Sequence, residues 1–151
     1  MKESIGGPFL QLAVFCEKVL EEKTGTLSAI RIIDRFTIST IAPSAPDIMP
    51  AVNIGIHILV CFKSGDFKGK QKVKIKPFTP SGKELPGWAG DILLEGDERG
   101  ANIILEYGFA ATEEGVYWFD VILAGNVVTK MPLRLIYDRT QVTTGSAQSA
   151  H

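Results

Sequence analysis

The chain has 151 residues, which is enough for one domain with its own hydrophobic core. Hydrophobic residues make up 45% of the chain and charged residues 22%, a balance that is typical of a globular protein and argues against disorder. The formal net charge is -1, so no overall positive charge draws the protein to nucleic acid or to an anionic membrane. No apolar run reaches the roughly 20 residues of a membrane-spanning helix.

The N-terminal sequence lacks the pattern of an export signal. No charged segment leads into a long apolar one, and Glu17 interrupts the short apolar run. We therefore expect no signal peptide and a cytoplasmic location. Cys16 and Cys61 are then expected to be reduced thiols, because disulfides are rare in reducing compartments.

The first third of the chain predicts a strand, a short helix and a second strand. Residues 8–16 have apolar side chains on both faces of an extended chain, which is typical of a central strand. Residues 17–23 contain strong helix formers and precede Gly25, so they predict a helix of about two turns. Residues 27–38 alternate again, but Asp34 falls on the apolar face. We expect a β-bulge or strand end that turns Asp34 outward, the alternative being a carboxylate held inside by an arginine or by backbone donors.

The middle of the chain has the clearest alternation of half-buried strands. Residues 51–62 place an apolar row on one face, and residues 68–78 place lysines on one face. These lysines, called the lysine row, are Lys68, Lys70, Lys72, Lys74 and Lys76. Turn residues at 64–66 separate the two segments, and shorter strands are expected at 91–95 and 101–110.

Residues 115–137 predict a hairpin of two strongly apolar strands. The more apolar row of each strand is assigned to the core, because side chains alternate between the two faces of a strand. In this register Phe119 pairs with Met131 inside the protein. On the outer face Asp120 pairs with Lys130, which is a favourable combination of opposite charges.

This register also predicts the hairpin loop. Pairing Leu123 with Val127 leaves a three-residue loop at 124–126, whereas a two-residue loop would place core residues opposite outer ones. Asn126 is then expected in the left-handed conformation, which asparagine tolerates better than most residues.

The hairpin begins with Glu113-Glu114-Gly115-Val116-Tyr117-Trp118-Phe119, which resembles the acidic-x-Gly-x-Tyr-x-Cys run of immunoglobulin-like domains. The resemblance implies that Tyr117 forms a tyrosine corner. Phe119 stands where the second cysteine of such domains would be, so the resemblance implies no inter-sheet disulfide.

A second resemblance covers most of the chain. The segments Phe15-Cys16-Glu17-x-Val19, Leu27-Ser28-Ala29-Ile30 and Gly115-Val116-Tyr117-Trp118-Phe119-Asp120 together resemble an uncharacterised family of small bacterial β-sandwich proteins. The resemblance implies a β-sandwich in a bacterial cytoplasm. It implies no activity, because the family has none to transfer.

Taken together, the pattern predicts an all-β protein, an antiparallel β-sandwich of about eight strands with one short helix near residues 17–23. Immunoglobulin-like topology is one candidate arrangement of the strands. We expect residues 1–7 to be flexible, residues 8–140 to form the β-sandwich domain and residues 141–151 to be a disordered tail.

Sequence patterns for catalysis and metal binding are sparse. His57 and Cys61 share a strand face but lie about 13 Å apart, too far to bind one metal without further ligands. Cys16 or Cys61 could pair with His57 as nucleophile and base, but an ordinary thiol on a sheet face is favoured. The chain has no phosphate-binding glycine loop and no nucleophile elbow. We expect no enzyme, no catalytic residue, no metal and no cofactor.

Two surface features point to binding. The outer row of the hairpin is apolar but carries charges, and its candidate partner-binding residues are Trp118, Asp120, Lys130 and Arg134, called the Trp118 patch. Either the predicted helix at 17–23 or a partner chain covers this patch. The lysine row is the candidate site for an anion, a nucleic acid or an acidic partner. Its alternative role is to keep an edge or solvent-facing strand soluble.

The leading hypothesis is a non-enzymatic β-sandwich module that binds another protein or associates with itself. The alternative is a binder of an anionic ligand or nucleic acid through the lysine row, although the lack of interleaved aromatic residues disfavours nucleic acid. A thiol or hydrolytic enzyme around His57 is the third hypothesis. No membrane partner is expected.

Overall fold

The computed structural model describes residues 3–41 and 46–140, so the tail predicted at 141–151 lies outside them. All regular secondary structure in the described residues is β, which confirms the predicted all-β class. The strands are β1 (Phe9–Glu21), β2 (Leu27–Ile33), β3 (Arg35–Ile41), β4 (Val52–Phe78), β5 (Trp88–Ala111), β6 (Gly115–Leu123) and β7 (Asn126–Thr140).

The short helix predicted at residues 17–23 is wrong. The chain up to Glu21 continues β1, where Glu21 pairs with Leu27 of β2. A turn follows, in which the N–H of Gly25 donates to the carbonyl oxygen of Glu22 at 2.8 Å. Pairing with β2 satisfies the backbone of this segment, so tertiary context overrides its helix propensity.

β4 and β5 are long because each joins two strands that the sequence predicts separately. The strands predicted at 51–62 and 68–78 form the single strand β4, and those predicted at 91–95 and 101–110 both lie in β5. The turn predicted at 64–66 is instead a place where the β4–β5 register shifts. The described chain therefore has seven strands rather than about eight.

The sheet curls into a half-barrel around one core. Its first half has the order β2-β1-β4-β5 and uses residues 52–63 of β4. Its second half has the order β3-β7-β6-β4-β5 and uses residues 68–78 of β4. The β3–β7 pair is parallel and the other pairs are antiparallel. The ring of Phe119 on β6 lies 4.9 Å from Phe15 on β1 and 5.5 Å from Tyr107 on β5, so aromatic contacts join the halves.

The N-terminal segment crosses β4 where the strand passes between the two halves. Gly65 has a φ of 60°, and a Cβ at this position would collide with the carbonyl oxygen of Gly6. Only glycine allows this close approach. The Asp66 carboxylate accepts hydrogen bonds from the Ser4 hydroxyl at 2.7 Å and from the N–H groups of Ile5 and Gly6 at 2.9 and 2.7 Å. These bonds tie residues 4–6 to β4.

Asp34 marks the end of β2, as the sequence predicts. Its side chain is 74% exposed and lies 3.3 Å from Arg35 Nε, so the alternative of a carboxylate held inside is wrong. The carbonyl oxygen of Asp34 accepts a hydrogen bond from the N–H of Arg134 at 2.8 Å. This bond anchors the step from β2 in the first half to β3 in the second.

Tyr117 has the contacts of a tyrosine corner. Its side chain is 1% exposed, and its hydroxyl donates to the carbonyl oxygen of Glu113 at 2.6 Å. The same hydroxyl accepts from the N–H of Glu113 at 3.3 Å. Burial raises the pKa of Tyr117, and the hydrogen bond to Glu113 partly opposes this effect. The segment around Tyr117 therefore resembles a tyrosine corner in its hydrogen bonds as well as in its sequence.

The β6–β7 hairpin has the predicted register through most of its length. Phe119 pairs with Met131 and Asp120 pairs with Lys130, as expected. Phe119 is fully buried and Met131 is 3% exposed, which confirms the assignment of this row to the core.

The predicted three-residue loop is wrong. The loop contains only Ala124 and Gly125, whose φ angles of 51° and 84° fit the left-handed pair of a type I′ turn. Asn126 instead begins β7, and the register shift beside Val121 is absorbed as a bulge that leaves Val128 without a partner. The bulge also moves Val127, predicted for the core, to a position where it is 50% exposed.

Removing the aromatic ring of Phe119 should strongly destabilise the fold. Phe119→Ala is expected to lower the free energy of unfolding by about 3–5 kcal/mol, because the ring is fully buried against aromatic side chains from both halves. Denaturant unfolding measures the change. Val128→Ala, at an exposed bulge position, is the matched control and should cost about 0.5 kcal/mol or less. Equal losses in the two variants would contradict the assigned faces.

The turn offers a stabilising substitution. Ala124→Asn should raise the free energy of unfolding by about 0.5–1 kcal/mol, because Asn-Gly suits a type I′ turn and asparagine tolerates positive φ better than alanine. Ala124→Val should lower it, because a β-branched residue is strained at positive φ. Thermal unfolding of both variants tests this pair, and the opposite order of stabilities would rule out the left-handed turn.

Candidate partner-binding face

The outer face of the second half of the sheet carries both predicted binding features. The lysine row lies on β4, Trp118 and Asp120 on β6, and Lys130 and Arg134 on β7. Cross-strand pairs connect these features, because Lys76 pairs with Asp120 and Asp120 pairs with Lys130. The lysine row and the Trp118 patch thus form one surface, called the basic face.

The lysine row lies partly inside the sheet and partly along its edge. Residues 68–75 of β4 pair with β5, but the pairing with β6 begins only at Val73. Lys74 is therefore flanked by strands on both sides, whereas Lys68 and Lys70 have a paired strand on the β5 side only. Val73 and Ile75, which alternate with the lysines, are 0% and 2% exposed, so the lysines point outward. Lysines that protect a sheet edge belong on an edge strand, so edge protection accounts for Lys68 and Lys70 but not for Lys74.

Three consecutive lysines of the row lack a charge partner in the described part of the chain. Lys76 Nζ lies 3.2 Å from Glu84 Oε1. Among residues 3–41 and 46–140, no ion pair within 4.0 Å involves Lys70, Lys72 or Lys74. Asp91 lies opposite Lys72 in the β4–β5 register without forming an ion pair, so Lys70, Lys72 and Lys74 together keep an excess of positive charge although the whole chain has a net charge of -1.

A groove of about 510 Å³ runs beside the lysine row. Ala124 and Gly125 of the β6–β7 turn line it together with Ile122, which pairs with Lys74. The Ala124 N–H donates to the backbone oxygen of Lys72 at 2.9 Å, so the turn is fixed against β4. The sequence could not reveal this wall of the groove, because the β4–β6 pairing joins distant segments.

Trp118 stands at the other end of the basic face. Its side chain is 44% exposed, and it pairs with Phe78 of β4 and Pro132 of β7. A cavity of about 450 Å³ lies beside it, lined also by the turn after β4 that contains Pro80 and Gly82. The predicted cover by a helix at 17–23 is wrong, since that segment belongs to β1 and a turn.

Asp120 and Lys130 form the predicted cross-strand ion pair. Asp120 is 9% exposed, and Lys130 Nζ lies 3.0 Å from its Oδ1. The nearly buried carboxylate thereby holds the ammonium of Lys130 beside Trp118. Arg134 pairs in the ladder with Arg35 of β3, and Arg35 in turn contacts Asp34.

The first half of the sheet contains the cysteine and histidine that the sequence marks as a candidate nucleophile and base. Cys16 pairs with His57, and His57 Nε2 lies 3.2 Å from Glu106 Oε1. Sequence reasoning missed Glu106, because only the β4–β5 register places it beside His57. This row has the order of a nucleophile, a base and an orienting carboxylate. Cys16 is fully buried, however, and burial raises its pKa, which opposes thiolate formation.

Cys61 is a second buried thiol, and neither cysteine is in a disulfide. Burial raises the pKa of Cys61, and the positive charge of Lys63 only partly offsets this effect. No group of three or more His, Cys, Asp and Glu side chains in the described residues could hold a metal ion. Residues 3–41 and 46–140 contain no helix that is long and apolar enough to cross a membrane.

Both thiols should be slow to react in the folded protein. A disulfide reagent at mildly alkaline pH is expected to modify Cys16 and Cys61 at least about tenfold more slowly before denaturation than after it, because burial and raised pKa values suppress the thiolate. His57→Ala should leave the rate at Cys16 unchanged. Fast labelling of Cys16 that is lost in His57→Ala would instead indicate an activated thiol.

The comparisons with known proteins show which family the chain belongs to. Residues 11–136 match the model of a family of unknown function, DUF6941. The chain belongs to this family. Membership of a family without an assigned activity is thus confirmed. A comparison with curated proteins finds no match. Among solved structures, this protein is similar to an immunoglobulin-like protein from Pseudomonas aeruginosa. The two chains are 10% identical, the match covers 83% of this chain and 92% of that chain, and the TM-score is 0.40.

Proposed function

We propose that the protein is a non-enzymatic binding module of the β-sandwich type, and that its basic face contacts a protein partner. The observation that carries this proposal is the 44% exposed indole of Trp118 beside an open cavity on a rigid sheet. Trp and Arg are enriched among the residues that dominate binding energy at protein interfaces. The Trp118 patch combines Trp118 and Arg134 with the fixed ion pair of Asp120 and Lys130.

The way in which the sheet is built supports a role as a scaffold. The two halves pack their inner faces into one core through Phe15, Tyr107 and Phe119, as the layers of a sandwich do. Trp118 and Asp120 on β6 are also held by backbone pairing with β4 on one side and with β7 on the other. A preorganised surface of this kind loses little conformational entropy when it binds a partner.

A second candidate function is the binding of a small anion or a nucleic acid through the lysine row. The absence of ion pairs at Lys70, Lys72 and Lys74 within the described chain favours this candidate. The two functions are not exclusive, since both use the basic face.

Iodide quenching of Trp118 fluorescence tests the proposed contact. On a Trp88→Phe background, Trp118 is the sole indole, and iodide should quench it readily in the dilute protein because the side chain is 44% exposed. Adding an extract of the source cells, or concentrating the protein, should protect it when a partner or a second copy covers the patch. Protection in the dilute protein would contradict an open patch.

Affinity capture with matched variants completes the test. A partner protein that binds to the immobilised Trp88→Phe variant should no longer bind when either Trp118→Ser or Arg134→Ser is added, because each change removes a side chain from the proposed contact. Thermal unfolding of each variant checks that the fold is kept. Equal retention by all of the variants would exclude the Trp118 patch as the contact surface.

A further inference from the structure

We infer that the groove along the lysine row binds an extended acidic segment of a protein partner. This inference rests on the proposed function and gives the chemistry of the partner. It concerns Lys70, Lys72 and Lys74, the groove wall at Ala124 and Gly125, and the neighbouring Trp118 cavity.

Electrostatic complementarity gives the first argument. The three lysines repeat along one exposed strand face, so each lies about 7 Å from the next and repels it. No carboxylate in the described chain forms an ion pair with them. Lys74 pairs with Ala89 on one side and with Ile122 on the other, so it has no sheet edge to protect. A partner with negative charge relieves this repulsion and is steered toward the face.

The spacing of the lysines gives the second argument. Alternate residues of any extended chain are separated by about 7 Å. Carboxylates at every second position of an extended peptide therefore match Lys70, Lys72 and Lys74 in order. The β6–β7 turn forms one side of the groove, and Leu93, which pairs with Lys70 and is 55% exposed, lies on the other side of the row.

The neighbours of the row favour a polypeptide over a nucleic acid. Single-stranded nucleic acids are bound by basic grooves that also offer aromatic rings for base stacking. The residues directly opposite the lysines on β5 and β6 include Leu93, Ala89 and Ile122, which are aliphatic. Aliphatic side chains suit the apolar residues of a peptide.

The Trp118 cavity lies next to the groove, because Lys76 of the groove pairs with Asp120 of the cavity. Lys76 ends the row and pairs with Asp120, and the next outward position on β4 is Phe78, which pairs with Trp118. Lys74 and Phe78 are separated by about 13 Å along the strand. A segment with alternating acidic residues and an apolar residue about four positions away would therefore occupy both ends of the basic face.

Two synthetic peptides provide the probe. One has glutamate at three alternate positions with serine between them, and the other has glutamine in place of glutamate. Fluorescence anisotropy of the labelled peptides measures binding at low and at physiological salt. We expect the glutamate peptide to bind at least about tenfold more tightly than the glutamine peptide, with a difference that decreases as salt screens the charges. No detectable binding of the glutamate peptide at low salt would overturn the inference.

Charge-matched variants separate a groove from overall charge. Changing Lys70, Lys72 and Lys74 together to glutamine should weaken binding of the glutamate peptide by about tenfold or more. Changing the three together to arginine keeps the positive charge and should retain binding. Equal loss in a control that changes Lys18, Lys23 and Lys83 to glutamine would overturn the inference, because that variant removes the same charge elsewhere. An oligothymidylate that competes at lower concentration than the glutamate peptide would also overturn it, in favour of nucleic acid.

The two proposals can fail independently. Trp118→Ser should abolish capture of the protein partner but leave binding of the short glutamate peptide intact. If the glutamine variant of the three lysines still captures the partner at full strength, the acidic-segment inference fails and the Trp118 contact stands. If Trp118→Ser keeps the partner and the lysine variant loses it, the Trp118 contact fails and the groove stands.

Discussion

The continuous pairing of β4 with β5 is the constraint on which the rest of the structure depends. The ladder runs from Val52 opposite Ala111 to Ile75 opposite Trp88, and it belongs to both halves of the sheet. Because the same two strands contribute to each half, the halves cannot separate without breaking this ladder. The pairing also fixes the outward direction of the lysine row, because Val73 and Ile75 of the same strand are held in the core.

Local sequence patterns predicted the faces of the strands well. Alternation assigned Phe119 and Met131 to the core and Lys70 and Trp118 to the outside, because burial of one face repeats at every second residue. Patterns that depend on distant partners were not readable. The segment at 17–23 has helical propensity but pairs with β2, and Ser64 and Gly65 look like a turn but shift the register within β4.

The candidate site was predictable in its residues but not in its assembly. The sequence marked the lysine row and the Trp118 patch as separate features, since each follows from alternation within one segment. Their union requires the β4–β6 register, in which Lys76 lies opposite Asp120. The hairpin shows the same limit at short range, where a bulge near Val128 reconciles a two-residue turn with the expected partners of Phe119.

The parallel pairing of β3 with β7 has a consequence for synthesis of the chain. Arg35 pairs with Arg134 and Ile41 pairs with Thr140, so the two partners are made far apart in time. β1, β2, β4 and β5 can pair as antiparallel neighbours while the ribosome is still translating β7. Closing contacts of such large sequence separation is slow. β3 must therefore remain without its β7 partner on the nascent chain until β7 emerges.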